Sequence, residues 1–231
     1  MVQAANTLYL DCFSGISGDM LLGALLHIGV PEEKLRGELD KLGLDPFTFK
    51  VSKQTRQSIA ALSVEISSET DQQFRNLAVI SDLLEASSLD QAITERALKV
   101  FRRLAQAEAK VHGKPVDEIH FHEVGALDTI IDIVGVTACL HLLGITSVYC
   151  SPLPLGRGFV DCAHGTLPLP APAVCELLED IPVIGTEMDL ELVTPTGAAL
   201  VAELVDGFGS MPPMIVSATG YGAGDSPGSP G

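Results

Sequence analysis

Apolar and polar positions along this chain group into runs whose periods mark out most of its elements. Thr7 to Cys12 reads as a buried strand, followed by a loop of small residues from Ser14 to Gly18. Apolar residues at helical spacing then predict a helix from about Asp19 to Ile28. Pro31 suits the first turn of a second helix, which Gly43 ends. Phe47–Lys53 and Ile59–Ser67 alternate as a hairpin, with polar Gln54–Ser58 as its turn. Thr70–Phe74 is a polar loop. Asn76–Leu84 and Asp90–His112 are predicted helices; in the second, Ile93, Ala97, Val100, Leu104 and Ala107 fall on one face. Ser147–Tyr149 reads as a short strand. From Ser151 onward, prolines and glycines exclude a long helix and predict loops and short strands over the core. Val174–Leu178 starts another helix, and Pro195-Thr196-Gly197 leads into a last one over Ala198–Val205. The pattern predicts an α+β fold: a single mixed domain over residues 1–224, with several helices packed on short strands. A disordered C-terminal tail over 225–231 is expected, because its Ser, Pro, Gly and Asp residues have nothing to bury.

The stretch between residues 119 and 143 changes this picture from architecture to chemistry. If Ile119–Glu123 is extended, Ile119 and Phe121 face one side while His120 and His122 face the other. Two imidazoles side by side make half of a metal site, and Glu123 lies next to them. The apolar run that follows predicts a helix from about Leu127 to Leu143. At about 100° per residue, Asp128, Asp132, Gly135 and Cys139 share one narrow stripe of it, and apolar side chains cover most of the rest. A helix apolar nearly all round is buried. Carboxylates on it need a partner, since an unpaired buried charge is costly. A cation held between the carboxylates and imidazoles supplies one, and imidazole suits nickel, zinc, copper and iron. The plainer alternative is a pair of exposed strand histidines beside a helix-capping glutamate. The spacing is not that of a helical HExxH zinc protease.

Asp11-Cys12-Phe13-Ser14-Gly15-Ile16-Ser17-Gly18-Asp19-Met20 joins strand to helix through glycines. Such a loop turns amides toward one point ahead of a helix N-terminus, which makes an anion or phosphate site from Gly15, Ser17 and Gly18. It lacks the Gly-Lys-Ser/Thr ending of a Walker loop. The alternative is a tight turn with Ser17 or Asp19 as helix cap. Gly156-Arg157-Gly158 and His164 bring a cation and a third imidazole into flexible backbone: Arg157 clamps a carboxylate or phosphate, or forms one surface salt bridge. Thr196 is a natural cap for the last helix, and Asn76 for an earlier one.

Bulk properties narrow the function classes. The 231 residues, 46% of them apolar, suffice for one substantial core. Thirty acidic against fourteen basic residues give a formal charge of −16. Such a surface repels nucleic acid and anionic membranes, so neither is expected as a partner. The five cysteines are odd in number and lack CxxC spacing, which points to reduced thiols in a cytoplasmic protein. No signal peptide is legible, and Ile130–Leu143 is too short to span a bilayer. No dinucleotide GxGxxG follows a strand and no serine-nucleophile elbow is present, so a nicotinamide oxidoreductase and a classical hydrolase are not indicated.

Taken together, these motifs resemble those of the LarC-type nickel-insertion proteins. The run Tyr9–Met20 is similar to the family's N-terminal signature, and His120–Ile133 to its second. Pro152–Gly158, His164–Pro172 and Thr194–Ala199 resemble later ones, and the likeness runs from residue 7 to 224. The resemblance implies insertion of nickel into pyridinium-3,5-bisthiocarboxylic acid mononucleotide. The product is the nickel-pincer nucleotide cofactor of lactate racemase. The step makes metal–carbon and metal–sulfur bonds and consumes CTP, with Mn2+ or Mg2+ assisting. That would make the protein a CTP-dependent nickel cyclometallase of lyase or chelatase type. Relatives carry a histidine-rich insert before the position of Arg75-Asn76-Leu77, and Thr70–Phe74 holds none here. Relatives also continue past Gly220-Tyr221-Gly222-Ala223-Gly224 into a C-terminal domain to which CTP binding is ascribed. The expected metal ligands are His120, His122, Glu123 and Asp128. Gly15, Ser17, Gly18 and Arg157 are expected to bind substrate, with Asp11, Asp19, Asp132 and His164 supporting them. No catalytic residue is assigned. The expected partners are a small-molecule nucleotide, a separate C-terminal domain chain and further copies of this chain in a homo-oligomer. Two other readings stand beside this one: a non-catalytic nickel-binding subunit completed by that C-terminal partner, and a metal-dependent phosphate-ester hydrolase.

Overall fold

The computed structural model describes residues 6–68, 75–119, 121, 127–162 and 165–224. At its centre lies a helix, α5 (Leu127–Leu142), whose residues from Thr129 to Leu140 are all buried. It lacks a polar face because it has neighbours on every side. It packs against α1 (Gly18–Ile28), α2 (Glu32–Asp40), α4 (Gln91–His112) and α7 (Pro195–Leu204). Thr137 resolves its polarity within the helix, its hydroxyl donating to the carbonyls of Ile133 and Val134 at 3.0 Å each. The long helix α4 carries the predicted apolar face, with Ile93, Ala97, Val100 and Leu104 all fully buried. It ends at Gly113 in the left-handed region (φ 62°), as a helix closing on glycine should.

A small parallel sheet flanks these helices. β1 (Asn6–Leu10) pairs with β4 (Ile145–Cys150), which pairs with β9 (Gly207–Phe208). Tyr9 stands opposite Tyr149, and Leu10 opposite Cys150. The predicted hairpin forms from β2 (Thr48–Arg56) and β3 (Ile59–Ser67), with Arg56 opposite Ile59, and turns on only Gln57 and Ser58, both at positive φ. Residues 54–56 continue the strand, so the turn is shorter than the polar stretch suggested. α3 (Leu77–Ala86) starts from Asn76, whose side chain accepts from the Val79 amide at 2.9 Å. The region after Ser151 is built of short pieces: β5 (Leu153–Leu155) with β8 (Val183–Gly185), and β6 (Gly158–Cys162) with β7 (Gly165–Leu169). α6 (Pro172–Leu177) packs on α4 and α7.

One capping assignment is corrected. Thr194, not Thr196, caps α7: its hydroxyl accepts from the Gly197 amide at 3.2 Å, while Thr196 is buried inside the first turn. Pro195 occupies the first helical position, where its missing N–H costs nothing. Among the described residues no helix is long and apolar enough to cross a membrane.

After β9 the chain returns as an extended strap over α1 and β3. Leu62 donates to the Tyr221 carbonyl at 3.0 Å, and the Ala223 amide donates to Leu62 at 2.9 Å. The strap lies directly on helix backbone. A Cβ at Gly222 would sit 1.7 Å from the Met20 carbonyl oxygen, and one at Gly220 2.2 Å from that of Ala24. Glycine at alternate positions leaves room for this approach.

Candidate functional site

The loop Asp11–Gly18 is pinned by backbone contacts. The Gly15 amide donates to the Cys12 carbonyl at 3.0 Å, and the Ile16 amide to that of Leu192 at 2.8 Å. Gly15 has φ 97° and lies so close to Leu192 that a Cβ would overlap its carbonyl oxygen. Ser17 caps α1, accepting from the Met20 amide at 3.4 Å, and also donates to the Asp19 carboxylate. The two amides at Gly15 and Ile16 thus serve the loop's own architecture.

Beyond Ser17 the loop meets the small and polar stripe of α5. A Cβ on Gly18 would fall 2.3 Å from Oδ2 of Asp132, and one on Gly135 3.1 Å from Leu22. The stripe of Asp132, Gly135 and Cys139 is therefore the face of α5 turned toward α1. Asp132 is buried, and its Oδ1 has no hydrogen-bond partner among the described residues. Burial pushes its carboxyl well above the ordinary carboxylate range, and the neighbouring carboxylates of Asp19 and Asp128 push it further. Asp128 is exposed, and its carboxylate accepts from the Thr129 amide at 2.7 Å. Asp19 lies in the first turn of α1 and Asp128 in the first turn of α5, and both are near enough to Asp132 for their charges to act on its carboxyl.

On its other side the same loop lines a cavity of about 330 Å³, bounded by β1, α1 and the 211–224 strap. Phe13, Met20, Met211 and Tyr221 give it apolar walls, and Asp11 and Arg56 bring charge to it. Arg56 also holds the strap, donating to the Gly224 carbonyl at 3.2 Å. A volume of this size with few polar groups is typical of a small-molecule site.

The structure brings together Asp19, Asp128 and Asp132, and places Gly15, Ser17, Gly18 and Asp11 on the loop beside them. His120, His122, Glu123 and His164 lie outside the described residues. Ile119 and Phe121, on either side of His120 in the sequence, are both buried. Arg157 sits apart from the loop's own contacts, its guanidinium paired with Glu187 and, at 3.1 Å, with Asp189. Among the described residues no three His, Cys, Asp or Glu side chains are disposed to hold an ion. Sequence reasoning did not find Arg56 or the strap. The period-two glycines of 220–224 were the available signal, since they mark backbone lying on backbone.

The family model for nickel insertion proteins matches residues 8–230. This chain belongs to the nickel insertion protein family. It is 52% identical over 216 residues to a protein of Desulfotalea psychrophila named "Putative nickel insertion protein", covering 94% of this chain and 56% of that one. A Geotalea daltonii protein of the same name is 50% identical over 221 residues, covering 95% and 57%. One from Dictyoglomus thermophilum is 46% identical over 219 residues, with 95% and 57% covered. The chain therefore spans little more than half the length of the curated relatives it matches. No solved structure matches it. Within a nickel insertion family, the site of interest is the one where a buried carboxylate with an unpartnered oxygen, Asp132, lies near an organic-sized cavity, and the Asp11–Asp19 loop is where the two meet.

Proposed function

We propose that this chain takes up nickel and presents it to an organic acceptor held in the neighbouring cavity. The observation that carries the reading is Asp132, a buried carboxylate with an unpartnered oxygen, facing the loop that also walls the cavity. Nickel is the cargo. Asp128 and Asp132 would supply hard oxygen donors to it, and His120, His122 and Glu123, a few residues upstream, the imidazoles and a further carboxylate. A mixed imidazole and carboxylate set grips a divalent ion loosely enough to release it, unlike a closed thiolate cage. Binding a cation also removes the cost of burying Asp132 as an anion.

The acceptor in this reading is pyridinium-3,5-bisthiocarboxylic acid mononucleotide, and the product is the nickel-pincer nucleotide of lactate racemase. A cationic ring with apolar faces suits walls of Phe13, Met20 and Met211 with the Asp11 carboxylate nearby. Gly15 lines the wall just ahead of Ser17 and Gly18, and Arg56 is the cation there for a phosphate or carboxylate-like group, whereas Arg157, paired with Glu187 and Asp189, lies outside the lining. CTP and its Mn2+ or Mg2+ fall to the part of the relatives that this chain does not cover. That share of the relatives' length also supports a second reading, in which this chain holds nickel and turns over only with the remaining part present.

Calorimetric titration of nickel into the chain tests the site. His120→Ala/His122→Ala and Asp128→Asn/Asp132→Asn should each weaken binding by tenfold or more; unchanged affinity in both would end the assignment. Assay with unmetallated acceptor and CTP, with and without the remaining part of a relative, separates the two readings.

A further inference from the structure

Cys12 follows the end of β1 and Cys150 closes the adjacent strand β4, and their sulfurs lie 3.6 Å apart. Cys12 is 5% exposed and Cys150 fully buried, and Cys12 lines the cavity. Backbone bonds fix the two strand ends: the Cys12 amide donates to Ser151 Oγ at 2.9 Å, and the Ser151 amide to the Leu10 carbonyl at 2.9 Å. The sheet therefore holds the backbone of both strand ends in place beside each other.

We propose that Cys12 and Cys150 form a two-thiolate site for a thiophilic divalent cation at the inner wall of the cavity, separate from the carboxylate cluster. Three arguments support it. With metal–sulfur bonds of about 2.3 Å, sulfurs 3.6 Å apart subtend an angle of about 100° at the ion, close to tetrahedral. Two thiolates and one divalent ion make a neutral unit, which a buried wall accepts more readily than a lone charge. The remaining coordination positions are left for water or for a sulfur- or oxygen-bearing molecule in the cavity, so the ion sits beside whatever the cavity holds. Binding is an exchange: two sulfur–metal bonds form, two S–H bonds break, and two protons leave to solvent. In the absence of an ion, contact with Cys150 and burial both raise the Cys12 thiol far above its ordinary value, which keeps Cys12 protonated and unreactive.

The site stands on different residues from those of the proposed nickel-holding cluster, so the two ideas fail separately. The test uses the full chain carrying Cys162→Ser and Cys175→Ser, which removes the two more accessible thiols, kept reduced with a phosphine. Co2+ and Ni2+ should each produce a near-ultraviolet sulfur-to-metal charge-transfer band, with two protons released per ion. Cys12→Ser or Cys150→Ser should abolish the band, whereas Cys139→Ser and Asp128→Asn/Asp132→Asn should retain it. X-ray absorption at the cobalt edge of the parent protein should show two sulfur scatterers, which decides the matter even if the cysteine variants do not fold. No band, no sulfur scatterer, or a band that survives both single variants would overturn the proposal. Ion binding without a sulfur band, lost in the aspartate variant, would instead place the ion at the carboxylates.

Discussion

Gly18 and Asp132 share one space: the Cβ that Gly18 lacks would fall 2.3 Å from Oδ2 of the aspartate and 2.7 Å from its Cβ. Gly18 opens α1 and Asp132 lies mid-way along α5, so this contact sets how closely the two helices approach. Gly18→Ala should therefore destabilise the fold by about 1–3 kcal/mol, although alanine is the better helix former. Asp132→Ala removes the two nearest clashing atoms. The double variant should be more stable than the sum of the singles by about 1 kcal/mol, measured as a double-mutant cycle in urea. Strict additivity would mean that the two side chains do not compete for that space.

Asp132 also makes stability depend on pH. Its carboxyl titrates well above the ordinary range in the folded chain, because it is buried beside Asp19 and Asp128. Between the unfolded and folded values, the folded state keeps a proton that the unfolded state has released. The contribution is thus fully present below about pH 4 and is lost as pH rises through the folded value. Asp132→Asn cannot ionise. In chelator it should match the wild type near pH 4 and exceed it at neutral pH by about 1–3 kcal/mol. Thermal melts across that range check the crossover; a parallel pH profile for the two proteins contradicts it. Added nickel should raise the melting temperature of the wild type more than that of the variant.

What the sequence discloses here follows the range of the interactions. The polar stripe of α5 is local information, since Asp132, Gly135 and Cys139 recur one turn apart and only a neighbouring element can explain them. That the neighbour is the start of α1 depends on contacts far apart along the chain, and no pattern within either helix names it. The same holds for Cys12 and Cys150, which sit in separate strand patterns until the parallel register joins them. The sequence reading places the α7 cap at Thr196 instead of Thr194, although Pro195 favours the first helical position and so points to its predecessor as the cap. β8 and β9 were not legible, being three and two residues long with no period to read.

The strap makes the cavity a product of late chain segments closing over early ones. Gly222 lies against the Met20 carbonyl, with no space for a side chain. Gly222→Ala should lift residues 220–224 from α1 and open the cavity. The expected result is a stability loss of about 1–3 kcal/mol, together with faster amide exchange at Leu62 and Ala223, which hydrogen bond across the strap. A loss of global stability with unchanged protection at those two amides would show that the strap is not held by this contact.

Thiol labelling reads the packing of the core directly. None of the five cysteines is in a disulfide; Cys12, Cys139 and Cys150 are buried, whereas Cys175 is exposed and Cys162 partly so. Burial alone pushes the Cys139 thiol up to about 12, so at mildly alkaline pH it offers almost no thiolate. Burial closes off all three inner cysteines, and ionisation is further disfavoured at Cys12 and Cys139. A maleimide or an aromatic disulfide reagent at pH 8 should therefore modify two thiols quickly in the native chain and all five in denaturant. The three slow ones should react at a rate set by local opening, falling as stability rises. Because Gly222→Ala opens the cavity that Cys12 lines, it should raise the Cys12 rate more than that of Cys139, which sits on α5 away from that wall. Equal acceleration of both would mean that reagent enters through global unfolding and that the strap does not guard the cavity.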